Sequence, residues 1–151
     1  MIRTILFASA AAAMMFAASP SQAKRFVDYM PEKGVWLINA VEVDPNHVDD
    51  YLTGLRRSQV PDFEILKRHG IIDAYRFIVR AGYSKGKPNV LIETHYPNAA
   101  MLVPDETRDM AIEAEIRANF SDEAGKLAVA GYEKYREFLD QAQWREVRFA
   151  R

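Results

Sequence analysis

The sequence contains no cysteine, so thiol catalysis, thiolate metal sites and disulfide stapling are excluded and the fold must be held by its own core. It lacks an excess of either charge, with 21 acidic against 20 basic residues. A partner recognised through net positive charge, such as nucleic acid, is therefore not expected. Also missing are a glycine-rich phosphate loop, an H-E-x-x-H pair and a nucleophile elbow. Histidine is scarce, at three positions (His47, His69 and His95), so imidazole chemistry has few places to sit. Beyond the N-terminal region no apolar run approaches the roughly 20 residues that a membrane-spanning helix needs.

What is present begins with a leader pattern. Arg3 precedes an apolar run from Ile5 to Ala18, and Ser19-Pro20-Ser21-Gln22-Ala23 follows, with small residues at Ser21 and Ala23. This is the three-part layout of a secretory signal peptide over residues 1–23, with cleavage after Ala23. It predicts a periplasmic or secreted protein with no membrane attachment after cleavage. Residues 24–34 read as an N-terminal extension over the surface, and residues 35–151 as one domain with a sizeable core.

Ile72–Arg80 and Asn89–Tyr96 are rich in β-branched and aromatic residues, and a Gly, Lys and Pro connection separates them, which predicts a β-hairpin. Val35–Val43 is apolar on both faces apart from Asn39 and Glu42, as a central strand should be. Asp44-Pro45 starts a helix whose Val48, Tyr51, Leu52 and Leu55 form a core-facing stripe. Pro61 predicts a kink or restart, and Gly70 a stop. A second helix is expected after Pro104-Asp105, carrying Ile112, Ile116 and Phe120 on one side. A third is expected from Ser121-Asp122-Glu123 to about Gln141, with Trp144–Phe149 as a charged edge strand.

The order strand, helix, strand, strand, helices, strand is the split βαβ arrangement of an α+β, ferredoxin-like domain. It implies a four-stranded antiparallel sheet with the helices on one face. The other face would leave Trp36, Ile38 and Ala40 in the open, and an apolar sheet face calls for a cover; a homodimer is the expected one.

Through the Trp36-Leu37-Ile38-Asn39 strand, Asp44-Pro45 leading to Tyr51-Leu52, the Pro61 break, Gly70 and the Ile71–Tyr96 hairpin, the chain resembles the dimeric α+β barrel superfamily. That superfamily includes NIPSNAP-like, EthD-like and antibiotic-biosynthesis-monooxygenase-like proteins. The likeness is one of architecture and patterning over most of Val35–Phe149. It implies two subunits with their sheets together around a cavity for a small organic molecule, and an activity among the cofactor-independent oxygenases, isomerases and lyases. It also admits two other roles, a non-catalytic periplasmic dimer acting by binding or protein contact, and a haem-binding protein.

Strand alternation puts Glu93 and His95 on the open face, beside Trp36 and Glu42 of the neighbouring strand. A histidine next to a carboxylate and an aromatic wall suits proton transfer or ligand contact. His95 is thus the candidate acid/base and Glu93 its orienting carboxylate. Trp36, Glu42 and Arg76 are candidate ligand contacts. The bland reading of the same residues is an interface network in which Glu93 or Glu42 pairs with Arg76. Should haem bind, His95 is the axial-ligand candidate; otherwise no cofactor and no metal are expected. His47 and His69 read as ordinary surface residues at helix ends. Tyr132, Tyr135 and Phe138 at helical spacing read as core.

Overall fold

The computed structural model describes residues 22–120 and 122–150; the expected leader, up to residue 21, lies outside the described residues. In chain order the elements are β1 (Tyr29–Pro31), β2 (Val35–Val43), α1 (Val48–Arg68), β3 (Ala74–Val79), β4 (Val90–Tyr96), α2 (Glu106–Asn119), α3 (Asp122–Ala130), β5 (Arg136–Trp144) and β6 (Val147–Phe149). The four longer strands form one sheet in the order β3-β4-β2-β5, every pair antiparallel. With α1 crossing from β2 to β3, and α2 and α3 between β4 and β5, this is the ferredoxin-like topology.

β2 becomes central because its Val41 and Val43 are fully buried beneath α1, where Tyr51 and Leu55 meet them together with Val90 and Ile92 of β4. Each such aliphatic side chain contributes about 1.5–3 kcal/mol on burial. A second cluster, Ile65, Ile71, Ile72 and Ile112, ties the end of α1 to α2. Asp44 accepts from the Asn46 N–H at 2.9 Å and caps a 3-10 turn over Pro45–His47, after which α1 begins. The chain leaves α1 through Gly70 at φ 69°, a conformation that L side chains rarely adopt.

Three sequence expectations are corrected. The restart expected at Pro61 does not occur, since helix α1 runs from Val48 to Arg68 with Pro61 inside it. The carbonyl that loses its partner there is that of Arg57, an exposed residue, so water can replace the missing N–H. The third helix ends at Ala130 rather than near Gln141, and Arg136–Trp144 is instead the fourth strand of the sheet, paired along β2. Trp144–Phe149 is therefore not that edge strand. Its Val147–Phe149 part pairs with Tyr29–Pro31 in a separate two-stranded ribbon, which also gives the N-terminal extension a strand of its own.

Candidate functional site on the open sheet face

The side chains that meet α1 define the faces of the sheet. Since Val41, Val43, Val90 and Ile92 face the helix, alternation turns Trp36, Ile38, Ala40 and Glu42 of β2 the other way. Residues directly opposite one another share a face, so the register builds this open face in cross-strand rows. One row is Ala74, His95, Trp36 and Trp144, and the next is Arg76, Glu93, Ile38 and Ala142.

The first row holds an imidazole between two aromatic or acidic neighbours. The His95 ring lies 4.7 Å from the Trp36 ring, centroid to centroid, and its Nδ1 donates to Asp73 Oδ1 at 2.5 Å. Asp73 stands just before β3, and its backbone N–H donates to the His95 carbonyl at 3.0 Å, so strand pairing delivers the carboxylate to the ring. Gly34 closes the other side. A Cβ added there would come within 2.2 Å of His95 Nε2, so only glycine leaves room for the imidazole. Trp36 is fixed in turn by its Nε1, which donates to Glu146 Oε1 at 2.9 Å.

In the second row Arg76 Nε donates to Glu93 Oε2. The Glu93 side chain is only 4% exposed, whereas that of Arg76 is 56% exposed. The Arg76 guanidinium also lies over the Trp36 ring, with Cζ 4.4 Å from its centroid, an arrangement that favours the cation. A carboxylate this buried requires a cation beside it, and Arg76 supplies one while keeping half of its own side chain open.

The structure thus brings Trp36, Arg76, Glu93 and His95 together, with two changes of role. The carboxylate on His95 is Asp73, because Glu93 lies one row away and is taken by Arg76. Glu42 does not join the group. It stands at the far end of β2, where it accepts from Tyr83 Oη at 2.8 Å and from the Gly86 N–H at 2.9 Å. The backbone N–H of Gly86 and then the Tyr83 hydroxyl hold the Glu42 carboxyl below its ordinary range, and the same bond raises Tyr83. Asn39 lies on the helix side, where Gln141 Nε2 donates to it at 2.8 Å.

Sequence reasoning missed Asp73 and Gly34. The signal for each is positional: Asp73 precedes Ala74, which the register sets against His95, and Gly34 precedes Val35, which it sets against Tyr96.

Asp73 holds His95 Nδ1, which leaves Nε2, beside Gly34, as the ring nitrogen for a proton or a ligand. Among the described residues no group of three or more His, Asp or Glu side chains is placed to hold a metal ion. His47 stacks on Tyr135 with ring centroids 3.6 Å apart, and His69 meets Glu115 at 2.7 Å. Tyr132 is core, 2% exposed, and its hydroxyl meets Ser58 Oγ at 2.7 Å. On the helix side a cavity of about 610 Å³ lies between α2 and α3, lined by Ile116, Phe120, Lys126 and Val129. Its charged lining residues are Lys126 and Glu133.

No protein-family model matches this chain, and neither does any curated protein. Among solved structures it is similar to a dimeric ferredoxin-like protein from an uncultured marine organism, with 11% identity, 78% of this chain and 96% of that one covered, and a TM-score of 0.44. It is also similar to a dimeric protein of unknown function and ferredoxin-like fold from Bacteroides fragilis NCTC 9343, at 9% identity, 80% and 100% coverage and a TM-score of 0.39. A third is a dimeric ferredoxin-like protein of unknown function from Thermobifida fusca, at 13% identity, 76% and 91% coverage and a TM-score of 0.37.

Proposed function

We propose that the protein is an exported homodimer that binds a small, largely apolar organic molecule on the open sheet face, between paired subunits. The observation that carries this reading is the composition of that face. Ile38, Ala40, Leu91 and Ile78 surround two matched polar pairs, Arg76–Glu93 and His95–Asp73, which meet at Trp36. An apolar wall with a few fixed polar groups is the usual make-up of a small-molecule site. Because Glu93 neutralises Arg76 through Nε alone, the exposed part of the guanidinium remains to take a carbonyl or carboxylate oxygen of the ligand. Export rests on the leader pattern, and the dimer on the need to cover this face.

Chemistry at the same place is a second reading, favoured by one contact. Asp73 fixes the orientation of the His95 imidazole, as an orienting carboxylate does for a general base. A cofactor-independent oxygenase, isomerase or lyase would use His95 in that way.

The test is native mass spectrometry, with light scattering, on the mature chain purified from the compartment to which it is exported. A dimer that carries a small organic molecule, and loses it on Arg76→Ala, supports the binding site. A dimer that is empty and indifferent to added apolar acids or ketones turns the reading to a non-catalytic dimer acting by protein contact. A monomer at micromolar concentration overturns the proposal.

A further inference from the structure

The open face is charged unevenly from edge to edge. At the β3 edge stand Arg76 and, one residue beyond the strand, Arg80, whose N–H continues the ladder to the Asn89 carbonyl. At the β5 edge stand Asp140, opposite Ala40, and Glu137, opposite Glu42. Between the edges Ile38, Ala40 and Leu91 are apolar, Glu93 and Asp73 are taken by Arg76 and His95, and Glu42 adds a third acid beside Glu137. The bulk is uneven too, because Trp144, 58% exposed, closes the row that begins with Ala74.

Two sheets stacked face to face about 10 Å apart, with strands nearly aligned, allow two simple placements of the symmetry axis. An axis across the strands stacks β5 on β5 and sets the acidic edges against each other. An axis along the strands reverses each cross-strand row over its own copy. Trp144 then lies over Ala74 of the partner subunit, large against small, and Trp36 over His95 of the partner subunit. Arg80 then faces Glu137 of the partner subunit, and Arg76 lies diagonal to Asp140 of the partner subunit. Like charges in apposition are costly and opposite charges steer docking.

We infer that the second copy packs on the open face with the two-fold axis along the strands, so that the basic β3 edge of each subunit meets the acidic β5 edge of the other. This rests on the dimer reading above and specifies its pairing. Each ligand site would then be walled by both subunits, with Trp36 of one subunit close to the His95–Asp73 pair of the other.

Charge reversal with rescue tests it, read as the dimer dissociation constant by light scattering and sedimentation. Glu137→Lys combined with Asp140→Lys is expected to weaken the dimer about tenfold or more, and Arg80→Glu alone is expected to weaken it as well. Joining all three substitutions is expected to restore much of the loss, which a mere folding defect would not do. An unchanged dimer in the Glu137→Lys/Asp140→Lys variant, or a triple variant no tighter than the double, overturns the pairing and leaves the binding reading in place. If the double variant fails to fold, Arg80→Glu decides: an unchanged dimer overturns the pairing. A monomeric parent overturns both inferences together.

Discussion

Trp36 and His95 stand directly opposite each other on β2 and β4, with their rings 4.7 Å apart, and Gly34 is the residue that lets them meet. The His95 ring is held between Asp73 on one nitrogen and the Gly34 backbone at the other, so it has no room to retreat.

Gly34→Ala is therefore expected to push the imidazole away from Asp73 and Trp36. The strain of overpacking is about 1–3 kcal/mol, read as a lower urea midpoint, with a change in Trp36 fluorescence accompanying it. A variant with the parent's midpoint and emission would show that the ring is not confined as described.

Arg76→Ala leaves the Glu93 carboxylate, 4% exposed, without its cation. A buried charged acceptor left unpaired costs about 1–3 kcal/mol or more, and the exposure of Arg76 keeps the expected loss within that range. Adding Glu93→Gln to Arg76→Ala should recover part of it, because the stranded charge is then gone. Urea unfolding at neutral pH compares the two; a double variant less stable than Arg76→Ala alone would contradict this account.

These relationships differ in how legible they were. The Trp36–His95 and Arg76–Glu93 neighbours followed from strand alternation and antiparallel pairing, because β2, β3 and β4 are regular. β5 was unreadable for a physical reason. The register slips between Ala40 and Val41, so Leu139 bulges and the alternation of Phe138, Leu139 and Asp140 is broken. Tyr132, Tyr135 and Phe138 meanwhile fall three apart and imitate a helix face. In the structure they serve three different elements: a core plug, a 3-10 turn and a strand. Asp73 was invisible because a carboxylate in a loop gains meaning only once the register sets its neighbour Ala74 against His95.

Glu42 tethers the connection between β3 and β4 through Gly86 and Tyr83, and its carboxyl is held below the ordinary value of 4.5. A depressed carboxylate contributes its stabilisation fully above the unfolded-state value, and that contribution is lost as pH falls through the folded one. The Gly86 amide resonance should thus stay unperturbed as pH drops past 4.5 and shift only at lower pH. In Glu42→Gln that transition should vanish. A Gly86 transition at or above the ordinary glutamate range would contradict the tether.

Gly54→Ala tests the packing behind the sheet. A Cβ there would stand 2.0 Å from Tyr132 Cδ1, and the Tyr132 ring is pinned by Ser58 and packed edge-on against Tyr51, centroids 5.3 Å apart. With no free direction to move, the variant is expected to lose about 3 kcal/mol, measured by thermal or urea unfolding. A change below about 1 kcal/mol would mean that this part of the core yields more readily than close-packed interiors do.

The ribbon of β1 and β6 joins Tyr29 to Phe149, the first strand of the fold to its last. Such a pairing closes a loop of nearly the whole described chain, and contacts so distant in sequence form late and slowly. The pairing of Tyr29–Pro31 with Val147–Phe149 is therefore expected to follow the more local contacts of the fold. Removing Val147–Phe149 would release Tyr29–Pro31 as well, so both ends of the chain would fray from the loss of one.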